Sequence, residues 1–524
     1  MVTTAQIESD TAASGDFRRE MGRVSRHSAV FFAGTIFTAA TGYVFKIYLA
    51  RNLGAEALGI FTLGMTIIGF VGVFSGLGLV QAAVRFIPNY IATGKLDLLR
   101  GFVIRSVLLL LACNMLVAAG LVLSGNFIAV HLYHAPALSQ YVPLFAGLMI
   151  MTALNAFLAQ VLAGFRHVAR RTVITNFVGS PAMMVVAVIL IMSGLELRGY
   201  ILAQAVGAVV VLGLLLVSCW KLMPGPARAF GAPVPSLQRD VGIFSATVSG
   251  MNLLEFVIAQ SDKVLIGIFL TTRDLGIYAV AAGLVTFVSI ILQSVNQIFS
   301  PTIAGLHAKR DYVLLGRMHQ TLTKWILGLS IPLATVMILF APTLMGIFGR
   351  DFEAGWPILV IGTVGQLVNC ATGSVGYLLL MSGNQKRLIA IQGFTAAVLL
   401  AVTMTLVPRF GIIGAAVASA ISVLLSNVLC ARSVRTTLGL LAYNRGYLGL
   451  LLPTAATVGT VMWMQPWMVG KLPALAAVAC AVPVSYAVFA VVCLAVGLDR
   501  DDEIITEAVF RRVRNFFAIA EANA

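Results

Sequence analysis

The chain has 524 residues, of which 59% are hydrophobic and only 10% are charged, and its mean hydropathy is +0.97. Soluble domains carry about 25% charged residues and need a polar surface, so this composition excludes a soluble fold, a fibrous protein and a disulfide scaffold. A net charge of +15 is typical of a polytopic membrane protein whose cytoplasmic loops are rich in Lys and Arg, so we expect the lipid bilayer, and no nucleic acid, as a partner.

Fourteen stretches of the chain are long and apolar enough to cross a bilayer, which takes about 20 residues of helix. Each is expected to be a helix, because a helix satisfies its own backbone hydrogen bonds where no water is present. The sequence therefore predicts an all-α polytopic membrane protein with about 14 transmembrane helices. In chain order the stretches lie near 27–50, 60–84, 103–123, 141–164, 172–193, 199–220, 242–270, 277–300, 323–345, 355–381, 388–408, 412–431, 446–467 and 473–497.

The loops are short, so no extramembrane domain is expected. The tail places apolar residues at helical spacing beside arginines, which indicates an amphipathic helix on the inner membrane surface, and a simple charged tail is the alternative. The predicted segments are a cytoplasmic N-terminus 1–26, an N-lobe 27–220 of helices 1–6, a cytoplasmic linker 221–241, a C-lobe 242–431 of helices 7–12, helices 13–14 at 446–497 and a cytoplasmic amphipathic tail 498–524.

The distribution of Lys and Arg predicts the orientation in the membrane. If the N-terminus is cytoplasmic, 27 of the 35 Lys and Arg residues fall in inside segments and 6 fall in outside loops. Cytoplasmic loops carry such an excess in membrane proteins. Both termini are therefore predicted to be cytoplasmic, which requires an even number of spans.

An internal repeat links the two halves of the chain. KIYLARNLGAEALGIFTLGM, which starts at Lys46, matches KVLIGIFLTTRDLGIYAVAA, which starts at Lys263, without gaps and 217 positions apart. Arg100 and Arg317 keep the same separation. An even number of predicted spans lies between the copies, so both enter the membrane in the same direction, as in a parallel repeat. The sequence therefore predicts two pseudo-symmetric six-helix lobes around a central cavity, plus a C-terminal helix pair.

Polar side chains interrupt several predicted spans, where a charge costs about 2.5–3.5 kcal/mol at the bilayer centre. Such residues tend to face the interior of a helix bundle. On the eighth span they form a stripe within an arc of about 100°. The polar positions are Ser245, Ser249, Asn252, Glu255, Asp262 and Lys263 in the seventh span, Thr286, Ser289, Gln293, Asn296, Gln297 and Ser300 in the eighth, and Asn155, Gln160, Gln366, Asn369 and Tyr377 in the fourth and tenth.

Each of these features also has a purely structural interpretation. Lys46 and Lys263 lie near the outer ends of their spans, from which a lysine reaches the interface. Asp262 is next to Lys263 and is placed for a structural ion pair. The amide stripe is also typical of contacts between membrane helices. Glu255 lies nearer mid-span, where the alternative is a protonated, hydrogen-bonded carboxyl group.

The motifs of several enzyme classes are missing from the sequence. It contains no Gly-x-x-x-x-Gly-Lys-Ser/Thr loop, no Gly-x-Ser-x-Gly elbow and no His-Glu-x-x-His pair. His131 and His134 have no Cys or acidic residue nearby to complete a metal site. No outer loop is large enough to carry catalytic groups. We therefore expect a transporter that works by alternating access, without enzymatic activity, a cofactor or a bound metal.

Three segments carry a resemblance to a known family: YLARNLGAEALGIF through GLGLVQAAVRFIPNY, then SDKVLIGIFLTTRDLGIYAVA, and FGIIGAAVASAIS. They resemble bacterial polysaccharide transporters, the oligosaccharide flippases of the multidrug/oligosaccharidyl-lipid/polysaccharide exporter superfamily, over about residues 25–435. The resemblance implies two six-helix lobes in the bacterial cytoplasmic (inner) membrane. It also implies flipping of undecaprenyl-diphosphate-linked oligosaccharide repeat units for polysaccharide (exopolysaccharide) biosynthesis, with a polysaccharide polymerase and export machinery as partners.

That substrate gives the polar residues expected roles. Basic side chains would offset the diphosphate charge, and amides would replace the water around the sugars, while the lipid chain stays in the membrane. The alternatives are a lipid II flippase or a multidrug efflux antiporter of the same superfamily, and a membrane enzyme of glycan assembly. The predicted substrate-binding residues are Lys46, Lys263, Arg85, Asn252, Gln293, Asn296, Gln297 and Asn155, and the ion-coupling candidates are Glu255 and Asp262.

Overall fold

The structure is a computed structural model that describes residues 41–225 and 234–497. Four parts of the sequence predictions lie outside the described residues: the N-terminal segment 1–26, the first part of the first span, residues 226–233 of the linker, and the amphipathic tail 498–524.

The described residues are almost entirely helical, and no strand occurs among them. Short 3₁₀ helices at Arg350–Gly355 and Arg445–Leu450 precede two of the long helices. The helices in chain order are α1 Thr41–Ser75, α2 Leu79–Ala92, α3 Leu96–Phe127, α4 Pro136–Ser139, α5 Val142–Gly164, α6 Val168–Leu222, α7 Arg239–Phe269, α8 Thr272–Ala308, α9 Tyr312–Leu339, α10 Ala341–Gly346, α11 Trp356–Thr372, α12 Val375–Met381, α13 Gln385–Leu438, α14 Leu451–Lys471 and α15 Ala474–Val496.

Within the described ranges, 11 helical segments are long and apolar enough to cross a membrane. The all-α, multi-pass membrane fold expected from the sequence is therefore confirmed. The helices α6 and α13 have 55 and 54 residues, or roughly 80 Å at 1.5 Å per residue, far more than the ~30 Å of a bilayer core. Both are broken by a glycine with positive φ, Gly194 and Gly411, each in a gap between two predicted spans. The exact count of 14 spans stays a prediction.

The backbone breaks follow the sequence repeat. Gly194 and Gly411 are again 217 positions apart. Gly54, with φ of 77°, interrupts α1, and the position 217 residues later is Thr271. Thr271 caps α8: its hydroxyl accepts from the Asp274 N–H, and the Asp274 carboxylate accepts from the Thr271 N–H. Helix breaks and helix starts thus occur at matching positions in the two halves of the chain.

The chain forms two compact units, Met1–Gln260 and Ser261–Ala524, and the division falls within α7. In the first unit, α2, α3, α5 and α6 share one apolar core around Phe102, Phe157 and Leu215. In the second unit, a core around Phe299 and Leu378 joins α8, α9, α12 and α13. The lobe limits at 27–220 and 242–431 stay a prediction.

The two terminal helices are firmly attached to the second unit. The helices α14 and α15 pack on each other and on α9, through Val336, Phe340, Val461 and Met468 among others. The Gln465 side chain donates to the Leu339 carbonyl (3.0 Å), and the Tyr486 hydroxyl donates to the Leu329 carbonyl (2.8 Å).

Candidate functional site

The most polar predicted span, α7, lies against α2 in the first unit. Gly78 precedes α2 with φ of 64°, and a Cβ added there would overlap the Ser245 carbonyl, so only glycine permits this approach of the two backbones. Phe256 similarly approaches Gly69, where the distance from an added Cβ to the ring is 3.3 Å. Only 11% of the most apolar stretch of α7 is buried, the lowest share among the 11 membrane-length helices described.

A cavity of about 780 Å³ opens between α2 and α7. The Arg85 guanidinium lies over the Phe244 ring, 4.5 Å from its centroid, and 5.5 Å from that of Phe86. This stacking leaves the five N–H groups at the guanidinium edge available for an anion. Asn89 and Asp240 line the same cavity, so a cation, an amide and a carboxylate surround it.

A second cavity, of about 400 Å³, lies further along α7. Glu255 is exposed and lines it together with Asn252 and Gln260. The Gln81 amide donates to the Asn252 side-chain oxygen (3.2 Å) and so joins α2 to α7. Three of the predicted site residues therefore lie on one helix pair. Arg85 is on α2, and Asn252 and Glu255 are about one turn apart on α7.

Sequence reasoning missed Gln81, Asn89 and Asp240 at this site. A signal was present for the first two, since each lies four residues from Arg85 and therefore on the same face of a helix. Near the cavity, the Tyr90 hydroxyl donates to the Gln238 side chain (3.0 Å). Burial, and secondarily the Asp240 carboxylate, raises the pKa of Tyr90, so the phenol stays neutral at physiological pH.

The second unit contains a separate polar cluster around Asp262. The Tyr278 hydroxyl donates to one carboxylate oxygen (2.6 Å), and the Lys263 N–H donates to the other (2.7 Å). The Ser419 hydroxyl lies 3.5 Å from the Tyr278 oxygen, so α7, α8 and α13 meet here. In the first unit the positions 217 residues earlier than Asp262 and Tyr278 are Phe45 and Phe61, which both pack on the Tyr200 ring.

We expect Tyr278→Phe to destabilise the second unit by about 1–3 kcal/mol, because the Asp262 carboxylate loses its shortest hydrogen bond. Thermal denaturation of the detergent-purified protein would measure the change. Tyr377→Phe removes a phenol hydroxyl from another helix of the same unit and serves as the control. In a double-mutant cycle with Asp262→Asn, additive effects of the two changes would contradict the coupling.

The amide stripe predicted on the eighth span is present on α8. Gln293 and Gln297 are exposed, and the Gln293 amide donates to the Ser289 hydroxyl (3.1 Å). Asn296 is instead buried, with 6% exposure, and its side-chain oxygen has no partner within the described residues. The stripe is therefore divided: two amides are open, and one points into the packed side of the helix.

The remaining predicted residues do not line the two cavities of α2 and α7, although Lys263 lies further along α7 in the second unit. Lys46 is partly buried, with its ammonium 5.9 Å from the Tyr43 ring centroid, and Lys263 is partly buried beside Asp262. The Asn155 amide donates to the Ala208 carbonyl (2.9 Å) and connects α5 to α6. Asn155 thus makes a contact between membrane helices, which is the structural alternative to a role in substrate binding.

With this geometry established, comparison with known proteins gives the family. The model of the family described as polysaccharide biosynthesis protein matches residues 24–307, more than half of the chain. The chain belongs to this family. A second model, MatE, matches residues 248–403. The resemblance stated from the sequence is confirmed.

The relatives of this chain include two proteins whose names describe a role in glycan biosynthesis. A probable low-salt glycan biosynthesis flippase of Haloferax volcanii is 24% identical over 78% of this chain and 82% of its own length. A succinoglycan biosynthesis transport protein of Rhizobium meliloti is 26% identical over 62% of this chain and 63% of its own length.

Solved structures share the fold of this polysaccharide biosynthesis family member at low identity. The lipid II flippase MurJ in an inward closed conformation has a TM-score of 0.65 and 13% identity, covering 92% of this chain and all of that one. An inward-facing multidrug resistance transporter of the MATE family has a TM-score of 0.65 and 14% identity, covering 78% and 94%. At such identities the likeness shows the fold alone.

Proposed function

We propose that this protein is a flippase that moves undecaprenyl-diphosphate-linked oligosaccharide repeat units across the bacterial cytoplasmic membrane by alternating access. The observation that carries the proposal is the polar face shared by α2 and α7 of the first unit, with Arg85, Asn252 and Glu255 on two otherwise apolar helices, of which α7 is weakly buried. The family and the names of the two relatives support the same role. Both termini are proposed to be cytoplasmic.

The chemistry of the substrate fits these residues. A diphosphate carries a charge that must cross ~30 Å of hydrocarbon, and a guanidinium is the side chain best suited to phosphate oxygens. Arg85 lies on the side of the chain that the arginine and lysine count predicts to be cytoplasmic, where a newly made lipid-linked sugar would be loaded. Amides such as Asn252 and Gln81 can replace the hydrogen bonds between sugar hydroxyls and water.

The second unit adds exposed amides to this proposal. Gln293 and Gln297 are one helical turn apart on α8 and are exposed, although the helix is apolar overall. Polar groups in membrane helices tend to face a bundle interior or a water-filled cavity. We therefore assign Gln293 and Gln297 to the sugar path, and Asn155, whose amide connects α5 to α6, to helix packing.

Two carboxyl groups are proposed for coupling to a proton or a sodium ion. Glu255 is exposed in the 400 Å³ cavity, while Asp262 is hydrogen-bonded to Tyr278. A carboxylate that is accessible in one state and enclosed in another can bind a cation alternately from the two sides. In support, Glu255 is exposed and Asp262 is partly buried, so the two carboxyl groups differ in access.

A lipid II flippase is the second candidate, and a multidrug antiporter is the third. The lipid II flippase structure covers 92% of this chain, whereas the multidrug transporter structure covers 78%. This difference favours a flippase that has the terminal helix pair. The names of the two relatives, which concern glycan and succinoglycan biosynthesis, favour an oligosaccharide over the peptidoglycan precursor.

The test is deletion of the gene followed by extraction of lipid-linked glycans. We expect undecaprenyl-diphosphate oligosaccharide to accumulate with its sugars facing the cytoplasm, and the extracted glycan identifies the substrate. Complementation with Glu255→Gln or Lys263→Ala is expected to restore normal membrane levels of the protein but not glycan export.

Three outcomes would contradict the proposal. Accumulated lipid II in place of an oligosaccharide intermediate would favour the second candidate. Unchanged lipid-linked glycans with increased drug sensitivity would favour the antiporter. Wild-type export by the Glu255→Gln and Lys263→Ala variants would remove both residues from the site.

A further inference from the structure

The second unit contains a cavity of about 700 Å³ that the transport proposal does not use. It is formed by α9, α11, α12 and α13 together with the loop that follows α13, all within the second unit. Its volume is in the range of sites that bind small molecules, about 300–1,000 Å³. Its position near the start of α9 and the end of α13 is on the side predicted to be cytoplasmic.

A buried imidazole forms the floor of this cavity. His319 is 1% exposed, and its Nε2 has no hydrogen-bond partner among the described residues. The Thr323 hydroxyl donates to the His319 carbonyl (2.7 Å), so at its 3.3 Å contact with Nδ1 it acts as the acceptor. The neutral ring then carries its proton on Nδ1 and leaves Nε2 as a buried acceptor in the wall of the cavity. A buried polar atom without a partner normally indicates a missing ligand or water.

Two arginines form the rim of the same cavity. Arg432 and Arg435 are three residues apart on α13, so both lie on one face of the helix, and both are exposed. Further along this face, away from the arginines, are Ile421, Leu424 and Val428, which are 40–51% exposed. The face therefore has a cationic end followed by an apolar stretch. This arrangement matches a membrane lipid, which has a charged headgroup and apolar acyl chains.

The repeat shows that this cavity is specific to the second unit. The positions 217 residues earlier than His319, Arg432 and Arg435 are Phe102, Leu215 and Ser218. These three are buried in the first unit, with 2%, 0% and 4% exposure, and Phe102 packs among other aromatic rings. The same helices thus enclose a solid core in one unit and an arginine-rimmed cavity in the other.

The loop after α13 covers the cavity and is held in place by α9. The Gln320 amide donates to the Leu441 carbonyl (3.1 Å), and the Tyr447 hydroxyl donates to the Gln320 carbonyl (3.4 Å). Tyr443 lines the cavity, and burial raises its pKa, so its hydroxyl remains a neutral donor. The cavity therefore has a fixed cover with a further polar group.

We propose that this cavity binds an anionic phospholipid with a hydroxylated headgroup, of the phosphatidylglycerol type, from the inner leaflet. The two guanidinium groups of Arg432 and Arg435 would bind the phosphodiester, since arginine suits phosphate oxygens. A glycerol hydroxyl would donate to His319 Nε2, and an acyl chain would lie along the apolar face of α13. The shared chemistry is a hydroxyl-bearing phosphate ester, which a soluble glycerophosphate also has. This site is independent of the transport proposal.

Native mass spectrometry of the detergent-purified full chain tests the site, with phosphatidylglycerol, phosphatidylmethanol and phosphatidylethanolamine as probes. We expect phosphatidylglycerol to bind about tenfold more tightly than zwitterionic phosphatidylethanolamine. The double substitution Arg432→Gln and Arg435→Gln should abolish that preference. Arg387→Gln, an exposed arginine near the start of α13 and outside the cavity, should retain it.

A second variant tests the role of the imidazole. His319→Phe introduces the residue that the first unit has at this position, so we expect it to fold. The wild type should prefer phosphatidylglycerol to phosphatidylmethanol, which has the charge but no hydroxyl, and His319→Phe should lose this preference while still discriminating against phosphatidylethanolamine.

Several results would overturn the proposal. Equal binding of phosphatidylglycerol and phosphatidylethanolamine by the wild type would do so, and so would an unchanged preference in the Arg432 and Arg435 double variant. Displacement of bound lipid by soluble glycerol 1-phosphate at equal concentration would assign the cavity to a soluble phosphate ester in place of a lipid.

Discussion

Gly78→Ala is expected to lower the melting temperature of the protein and to abolish glycan export. Gly78 has φ of 64°, a left-handed conformation that costs an L-residue about 1–2 kcal/mol. An added Cβ would also overlap the Ser245 carbonyl, so α2 and α7 would have to separate. Overpacking of this kind costs about 1–3 kcal/mol more. Separation of the two helices would displace Arg85 from Phe244 and Gln81 from Asn252.

Gly94→Ala is a matched control, because it isolates the conformational part of this effect. Gly94 has φ of 67°, almost the same as Gly78, but no atom lies within 4 Å of an added Cβ. Thermal denaturation in detergent should therefore show a larger loss for Gly78→Ala than for Gly94→Ala. Equal losses, or export retained by Gly78→Ala, would mean that the close approach of α2 and α7 has no functional importance.

The hydrophobic pattern was sufficient to predict the fold. Apolar stretches of spanning length identified the helices, and the gaps at 194–198 and 409–411 include the glycines at which α6 and α13 break. Continuity of these helices across the breaks was not predictable, because a positive φ at one residue depends on the packing around it. The division inside α7, between Gln260 and Ser261, depends likewise on tertiary contacts.

The sequence was less informative about which polar residues lie together. Arg85, Asn252 and Glu255 stood out because charged and amide groups are costly in a membrane. Their proximity depends on Gly78, because the Ser245 carbonyl packs directly against it. That contact is between distant parts of the chain and cannot be read from the sequence. Repeated patterns alone gave no indication that Asp262 and Tyr278 form a polar cluster where the first unit has packed aromatic rings.

The cavity around His319 was missed for a different reason. Arg432 and Arg435 were counted among the inside charges, which explained them without a binding role. A lone histidine at the edge of an apolar stretch gives no signal of its own. The comparison that reveals the site is between the halves, because Leu215 in the first is replaced by Arg432 in the second. Internal repeats in membrane proteins can therefore indicate sites through positions where chemistry differs.

Arg85→Gln should strongly reduce flipping, because it removes the guanidinium that we propose binds the diphosphate. A hydrogen bond to a charged group contributes about 1.5–3 kcal/mol, which corresponds to a factor of about 10 to 100 in rate or affinity. Arg85→Lys should recover part of the loss, because it keeps the charge but loses the planar fork stacked on Phe244. The measurement is the appearance of lipid-linked oligosaccharide on the far side of proteoliposomes.

Lys95→Gln provides the control for charge alone. Lys95 is exposed, lies ten positions after Arg85 on the same predicted side of the membrane, and is not part of the cavity with Phe244. A general attraction of basic residues for an anionic lipid would make the two losses similar, and both would disappear at high salt. A specific diphosphate site predicts a large loss for Arg85→Gln and little loss for Lys95→Gln. Similar rates for Arg85→Gln and Lys95→Gln would therefore reject the α2 and α7 cavity as the place where the diphosphate binds.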